Sequence, residues 1–170
     1  APGNGGTGDL ATNVPIAADD IEALVQYADE QHFDLVIIGP EVPLALGLSD
    51  ALCTKGLRVF GPSAAAARIE SSKAFCKDFM RDNHIPTPAY SVFRDYGAAL
   101  RYLDAHPAPI VIKASGLAAG KGAIVCRTDQ QAREALRRMM HERVLGDAGD
   151  TVVIEECLTG QAAAFLAGTD

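Results

Sequence analysis

With 170 residues, 48% of them hydrophobic and 22% charged, the chain has the composition of an ordinary α/β protein and enough length for one substantial core or two small ones. A net charge of −7 with no basic stripe excludes a general nucleic-acid binder, although a few local lysines suffice for one small polyphosphate. Every apolar run is cut by Pro, Gly or charge well short of the roughly 18 residues of a membrane span, and no signal peptide is legible, so the reading is a cytoplasmic protein with neither a membrane nor a nucleic-acid partner.

The sequence opens on Ala1 and runs into Gly3-Asn4-Gly5-Gly6-Thr7-Gly8, which reads as a loop leaving a strand that is not in this chain, and so as a start inside a longer protein. The stretch satisfies the spelling Gly-x-Gly-x-x-Gly, but that fingerprint needs a strand before it and an amphipathic helix after it, and here Asn13, Val14 and Pro15 follow. A phosphate-binding or substrate-facing loop is the functional reading left to it. Asp19-Asp20 caps a helix with Ile21, Leu24, Val25 and Ala28 at helical spacing, ending near Gln31. Residues 34–39 are a short apolar run, the mark of a parallel strand buried on both faces. Pro43 suits the first turn of a helix running to Cys53, Gly56 stops it, and residues 57–61 form the next strand, which completes a right-handed β-α-β unit. Ligands in such sheets lie beyond the carboxyl ends of the strands, which makes Gly39, Pro40 and Glu41 candidate substrate contacts. For Glu41 a carboxylate favoured by the helix macrodipole is an equal alternative.

Gly61-Pro62 is the one candidate domain boundary and divides the chain into 1–61 and 62–170. Helical segments follow at 63–68 and 71–83, with Ser72 as a cap and Phe75, Phe79 and Met80 at core spacing, stopped by Ile85-Pro86-Thr87-Pro88. A strand at 89–93, a helix after Asp95 with Leu100 and Leu103 inward, and a helix at 129–143 with Ala132, Leu136 and Met139 on its core side frame the stretch from Ala108 to Val125. After a polar loop at 146–150, residues 151–158 form a strand ending in Glu155-Glu156, and Ala163 begins another. Cys53, Cys76, Cys126 and Cys157 form no Cys-x-x-Cys pair and read as buried thiols of a reducing cytosol, and the histidines show no metal spacing.

The chemistry concentrates between Ala108 and Val125. Ile110-Val111-Ile112 and Ala123-Ile124-Val125 flank a loop holding Gly116, Gly120 and Gly122, so the reading is strand, glycine loop, strand. Glycines let backbone N–H groups approach a ligand, and Lys113 and Lys121 supply positive charge, a combination that suits a nucleotide triphosphate. A P-loop is excluded, because Gly-x4-Gly-Lys-[Ser/Thr] would need a glycine at Ser115 and a hydroxyl residue at Gly122, followed by a helix. An ordinary hairpin with a long glycine tip fits the same residues.

Taken together, Ala-Pro-Gly-Asn-Gly-Gly-Thr, Ile-Gly-Pro-Glu-x-Pro-Leu, Phe-Gly-Pro-Ser-Ala-Ala-Ala-Ala, Ser-Ser-Lys-Ala-Phe, Val-Ile-Lys-Ala-Ser-Gly-Leu-Ala-Ala-Gly-Lys-Gly and Val-Ile-Glu-Glu make the chain resemble the glycinamide ribonucleotide synthetase (phosphoribosylamine-glycine ligase) family of the ATP-grasp superfamily. The resemblance covers nearly the whole chain. It implies an α/β fold in which a truncated N-terminal parallel α/β domain precedes the first part of an ATP-grasp domain with its glycine-rich lid. It further implies that Lys73 and Lys113 contact phosphate, that Gly116, Gly120, Lys121 and Gly122 belong to the lid, and that Glu155, Glu156, Cys157 and Leu158 form a hinge strand whose edge and carboxylate meet adenine. From the residues alone, Glu155-Glu156 reads as a solvated strand end.

The implied reaction joins glycine to 5-phosphoribosylamine through a glycyl phosphate, giving glycinamide ribonucleotide, ADP and phosphate in de novo purine biosynthesis. ATP and Mg2+ are the implied cofactors, with the metal ligands beyond Asp170 and none in this chain, and residues 1–170 by themselves are expected to be inactive. The family tends to read Gly-Glu-Glu-Ala-Ser where this chain reads Gly160-Gln161-Ala162-Ala163-Ala164, so a carboxylate expected at 162 to face the ribose is absent. That departure keeps open a non-catalytic nucleotide-binding or scaffolding module, beside an ATP-grasp ligase with another acceptor.

Overall fold

The computed structural model describes residues 1–165. Its first departure from the sequence reading is local: the glycine-rich start is not a loop but a helical turn, α1 (Gly5–Gly8). The Asn4 side chain accepts from the Thr7 N–H at 3.0 Å, the Asn4 N–H donates to Thr7 Oγ1 at 2.8 Å, and the Thr7 hydroxyl donates to Asn13 Oδ1. This reciprocal capping offsets the entropy cost of ordering glycines.

Helix α2 (Ile21–Gln31) starts where Asp20 accepts from the Ala23 N–H, and it ends at His32 in the left-handed conformation. Strands β1 (Val36–Ile37) and β2 (Val59–Phe60) pair in parallel, as a β-α-β unit requires. The single helix expected between them is two, α3 (Glu41–Ala45), which starts from Pro40 rather than Pro43, and α4 (Leu48–Thr54). Gly47 lies between them at φ +87°, a conformation that no helix passes through.

Ala28, Ile38, Leu44, Leu48, Leu52 and Ala67 form the core of this unit. Val36 and Val59 turn toward that core, whereas Ile37 is 68% and Phe60 57% exposed, so the strands are covered on one face and not on both. The cause is the period of two along each strand combined with helices packing from one side only.

Beyond β2, Ser63 caps α5 (Ala64–Ser71) and Ser72 caps α6 (Lys73–Asp82). A four-stranded antiparallel sheet then assembles in the order β3 (Tyr90–Phe93), β6 (Val152–Glu156), β4 (Ile110–Ala114), β5 (Ala123–Cys126). Asp95 caps α7 (Tyr96–Ala105), and Thr128 with Gln131 forms a capping box for α8 (Asp129–Leu136), which continues as a wider π-helical turn over Arg137–His141. The expected loop after it contains a 3₁₀ turn at Gly146–Gly149.

The register aligns Ile112 with both Ile124 and Ile154, and Ala114 with Val152, so these residues share one face. That face packs on Ala99, Leu103, Ala132, Leu136 and Met139 from the helices. Ile112, Leu136 and Val152 are fully buried, each worth about 1.5–3 kcal/mol relative to exposure. By the same period, Val111, Lys113, Val153 and Glu155 belong to the opposite face, and α6 contacts β6.

Three further expectations meet a different structure. Phe79 is 39% exposed and Phe75 lies beneath the Arg68 guanidinium, and the buried residues of α6 are Ala74 and Lys77. Of the four thiols only Cys126 is buried, where burial pushes its pKa up, while Cys53 is exposed. Ala163 to Phe165 form no strand, and the rest of that expected element lies outside the described residues. Among the described residues no helix is long and apolar enough to cross a membrane.

Candidate functional site

Helix α6 lays one side along the sheet face that carries Lys113 and Glu155. Lys73, Cys76, Lys77 and Met80, spaced i, i+3, i+4 and i+7, all line a cleft of about 510 Å³ whose floor is Lys113, Ala123 and Glu155. Ile69 and Glu70 of α5 close one side and the segment Pro86-Thr87-Pro88 another. Three ammonium groups and two carboxylates therefore meet around one concavity, and each position follows from helical or strand periodicity.

One end of the cleft is fixed by buried charge. Glu155 is 3% exposed, and its Oε2 accepts from Lys113 Nζ at 2.8 Å and from Lys77 Nζ at 3.1 Å. Val111 lies directly opposite Glu155 in the register, so Lys113 is its diagonal neighbour on the same face, within reach of a long side chain. Lys77 also donates to Thr87 Oγ1 at 2.6 Å and lies 5.8 Å from the centre of the Tyr90 ring. The Tyr90 hydroxyl donates to Asp78 Oδ1, and burial, then that hydrogen bond, raises its pKa. Glu155 Oε1 is buried and has no partner among the described residues. An unpartnered buried acceptor is costly, and an N–H donor entering the cleft relieves that cost.

The other end is built from backbone. The Lys73 N–H donates to Ser115 O at 2.8 Å, the Ala74 N–H to Ser115 Oγ at 3.0 Å, and Lys73 Nζ to Gly116 O at 3.3 Å, which ties the start of α6 to the chain leaving β4. Ser115 and Gly116 in turn donate their N–H groups to Thr151 O and Ala148 O. A Cβ on Gly116 would lie 2.7 Å from Ala148 Cα, so only glycine fits there. At the tip, Ala119 and Gly120 both have positive φ and the Lys121 N–H donates to Ala118 O, the pattern of a type I′ turn. Gly122 is buried, Gly120 and Lys121 are exposed, and among the described residues Lys121 makes no ion pair.

The cleft thus brings Lys73, Lys113 and Glu155 together, with the glycine loop joined to it through Gly116 and Lys73. It does not bring in Gly39, Pro40 or Glu41, which are exposed at the end of β1 and line no part of it. Strand β6 runs between β3 and β4, and the Glu156 N–H already donates to Ala89 O, so the open edge expected along 155–158 begins only at Cys157 and Leu158. Glu156 is exposed and alternates to the other face. Ala162 is exposed in a stretch with no strand. Lys77 and Thr87 escaped the sequence reading. The signal was present in the spacing of Lys73, Cys76, Lys77 and Met80, a stripe that looks too polar to be a packed face.

Chemically, the arrangement offers cations to an anion near Lys73 and a carboxylate oxygen to an N–H donor near Lys77. Among the described residues no group of three or more His, Cys, Asp or Glu is placed to hold a metal ion.

Residues 1–70 match the family model of the phosphoribosylglycinamide synthetase N domain, and residues 71–170 that of the phosphoribosylglycinamide synthetase ATP-grasp (A) domain. The chain is similar to the phosphoribosylamine-glycine ligase of Nostoc sp., at 54% identity over 99% of this chain and 40% of the relative. The chain spans about 40% of the length of the curated relatives it matches. Among solved structures it is similar to the phosphoribosylamine-glycine ligase of Thermotoga maritima, with a TM-score of 0.74 and 27% identity over 94% of this chain and 37% of that one. The biotin carboxylase domain of Hydrogenobacter thermophilus 2-oxoglutarate carboxylase, solved with MgADP and bicarbonate, matches at a TM-score of 0.66 and 23% identity over 81% of this chain and 31% of that one, a likeness of fold.

Proposed function

The chain belongs to the phosphoribosylglycinamide synthetase family, and from that membership we propose that the full-length protein is an ATP-dependent ligase joining glycine to 5-phosphoribosylamine. The products are glycinamide ribonucleotide, ADP and phosphate, formed in the cytoplasm in de novo purine biosynthesis. The observation that carries the nucleotide part of this reading is the buried Glu155 carboxylate, with one oxygen paired and one unpartnered, in a cleft lined by Lys73 and Lys113. An aminopurine triphosphate supplies the donor that Oε1 lacks and an anion for Lys73, which among the described residues is bonded only to the Gly116 carbonyl.

In this reading residues 1–61 belong to the N-terminal unit and 62–170 begin the nucleotide-binding unit. The amino group of adenine donates to Glu155 Oε1, and the free backbone at Cys157 and Leu158 borders the ring. Lys73 and Lys113 neutralise phosphate, and the loop containing Gly116, Gly120, Lys121 and Gly122 closes over it with its N–H groups. Gly39, Pro40 and Glu41 serve the second substrate from the N-terminal unit. Magnesium, if used, would be held by residues outside this chain and would supply further charge neutralisation at the phosphates. Glycine's carboxylate is a poor electrophile, so it is phosphorylated first and the amine of phosphoribosylamine then displaces phosphate. The chain's own residues position the groups and offset charge, as is usual for phosphoryl transfer, and no side-chain nucleophile is used.

The test is ADP release by the full-length protein with each substrate omitted in turn. Release that requires both glycine and phosphoribosylamine is expected. Nucleotide binding without turnover would point instead to a non-catalytic module, the reading that the alanine at 162 favours.

A further inference from the structure

Lys77 has no part in the reaction just described, yet it is 10% exposed at its side chain and held on two sides. Its ammonium donates to Thr87 Oγ1 at 2.6 Å and pairs with Glu155 Oε2 at 3.1 Å. Thr87 sits between Pro86 and Pro88, and the proline that follows restricts the Thr87 backbone to extended conformations. Lys113 pairs with the same Oε2, but its side chain is 28% exposed, and in the proposed reaction it turns to phosphate. When it does, Lys77 alone holds Oε2. The carboxylate then presents Oε1, the oxygen without a partner.

We propose that Lys77 is a specificity-determining positioning residue, which by occupying Oε2 of Glu155 leaves Oε1 as the one acceptor offered to the base and so selects a 6-aminopurine over a 6-oxopurine triphosphate. The inference rests on the assignment of adenine to Glu155. An amino group at the 6 position donates to Oε1. A carbonyl there meets it lone pair to lone pair, and an unpaired acceptor in a desolvated site is a strong source of discrimination. Without Lys77 the carboxylate is free to follow Lys113 or to turn toward water, and the preference fades even though Glu155 is still present. A lysine that merely filled space would weaken all nucleotides alike.

The experiment is calorimetric titration of the full-length protein with ATP, ITP and inorganic tripolyphosphate. Lys77→Met is expected to lower the ATP-over-ITP preference at least about tenfold while tripolyphosphate affinity stays within about twofold. Equal weakening of ATP and ITP would overturn the proposal. Should Lys77→Met not fold, Thr87→Val decides: it keeps the ion pair but removes the other hydrogen bond, and a preference lowered roughly threefold or more is expected, whereas an unchanged preference would overturn the proposal. Failure of the underlying assignment has a different signature. Wild-type protein that binds ATP and ITP equally, or a preference untouched by Glu155→Gln, would remove adenine from Glu155 before Lys77 is considered.

Discussion

At the Glu155 end of the cleft the charged groups are paired, buried or half-buried, and set on central strands or a packed helix, whereas at the hairpin tip, where Lys121 lies outside the cleft lining, the side chains are exposed and the backbone turns through two residues of positive φ. The first region is costly to assemble, and its backbone is held by the sheet. The second is cheap to deform, and in the proposed reaction it acts only on closing. In the proposed function, recognition and closure then fall to different parts of one sheet, joined at Gly116.

Removing the carboxylate is the harshest way to break that contrast. Glu155→Leu leaves Lys77 buried beside Thr87 alone, and loss of one partner of a buried pair costs about 3–5 kcal/mol. A denaturant midpoint that barely moves would mean that the Glu155 end is no more rigid than the tip. Next in size is the pair of lysines. Lys113→Ala removes a charged hydrogen-bond donor worth roughly 1.5–3 kcal/mol and is expected to weaken ATP binding about 10- to 150-fold. Lys121→Ala is expected to lower turnover with little change in nucleotide affinity, because its charge reaches the ligand only on closure. Similar effects of both substitutions on ATP affinity would erase the distinction. The smallest effect belongs to the turn itself. Ala119 at φ 46° occupies a conformation that favours Asn over Ala, so Ala119→Asn gains under about 1 kcal/mol and slows amide exchange at Lys121 about two- to fivefold. Unchanged exchange at Lys121 would show that the turn is not what holds the tip.

Most of the element order was legible, because caps and apolar periods are local. Asp20, Ser63, Ser72, Asp95 and Thr128 each begin the helix that follows them, and the β4–β5 hairpin pairs as its two β-branched runs imply. What escaped depended on distance or on competition between local signals. Lys77 and Glu155 are far apart in sequence, and nothing near either one announces the other. Gly47 lies inside an otherwise helical pattern, where a glycine can be tolerated or can break the helix, and the tertiary packing chose the break. Asn4 and Thr7 outweighed the glycines around them by hydrogen bonds that composition does not count.

The glycine loop is fastened at both feet. Ala114 N–H donates to Gly122 O at 2.7 Å on one side, while Ser115 and Gly116 are bonded to Thr151 and Ala148 on the other, which leaves residues 117–121 as the free span. A tether that must run out and return, at roughly 3.3 Å per residue, reaches about 8 Å from its moorings. That radius is comparable to a polyphosphate tail and shorter than a whole nucleotide. In the proposed reaction the loop would thus serve as a short shutter over the charged tail of the nucleotide, with the head kept by walls that do not travel.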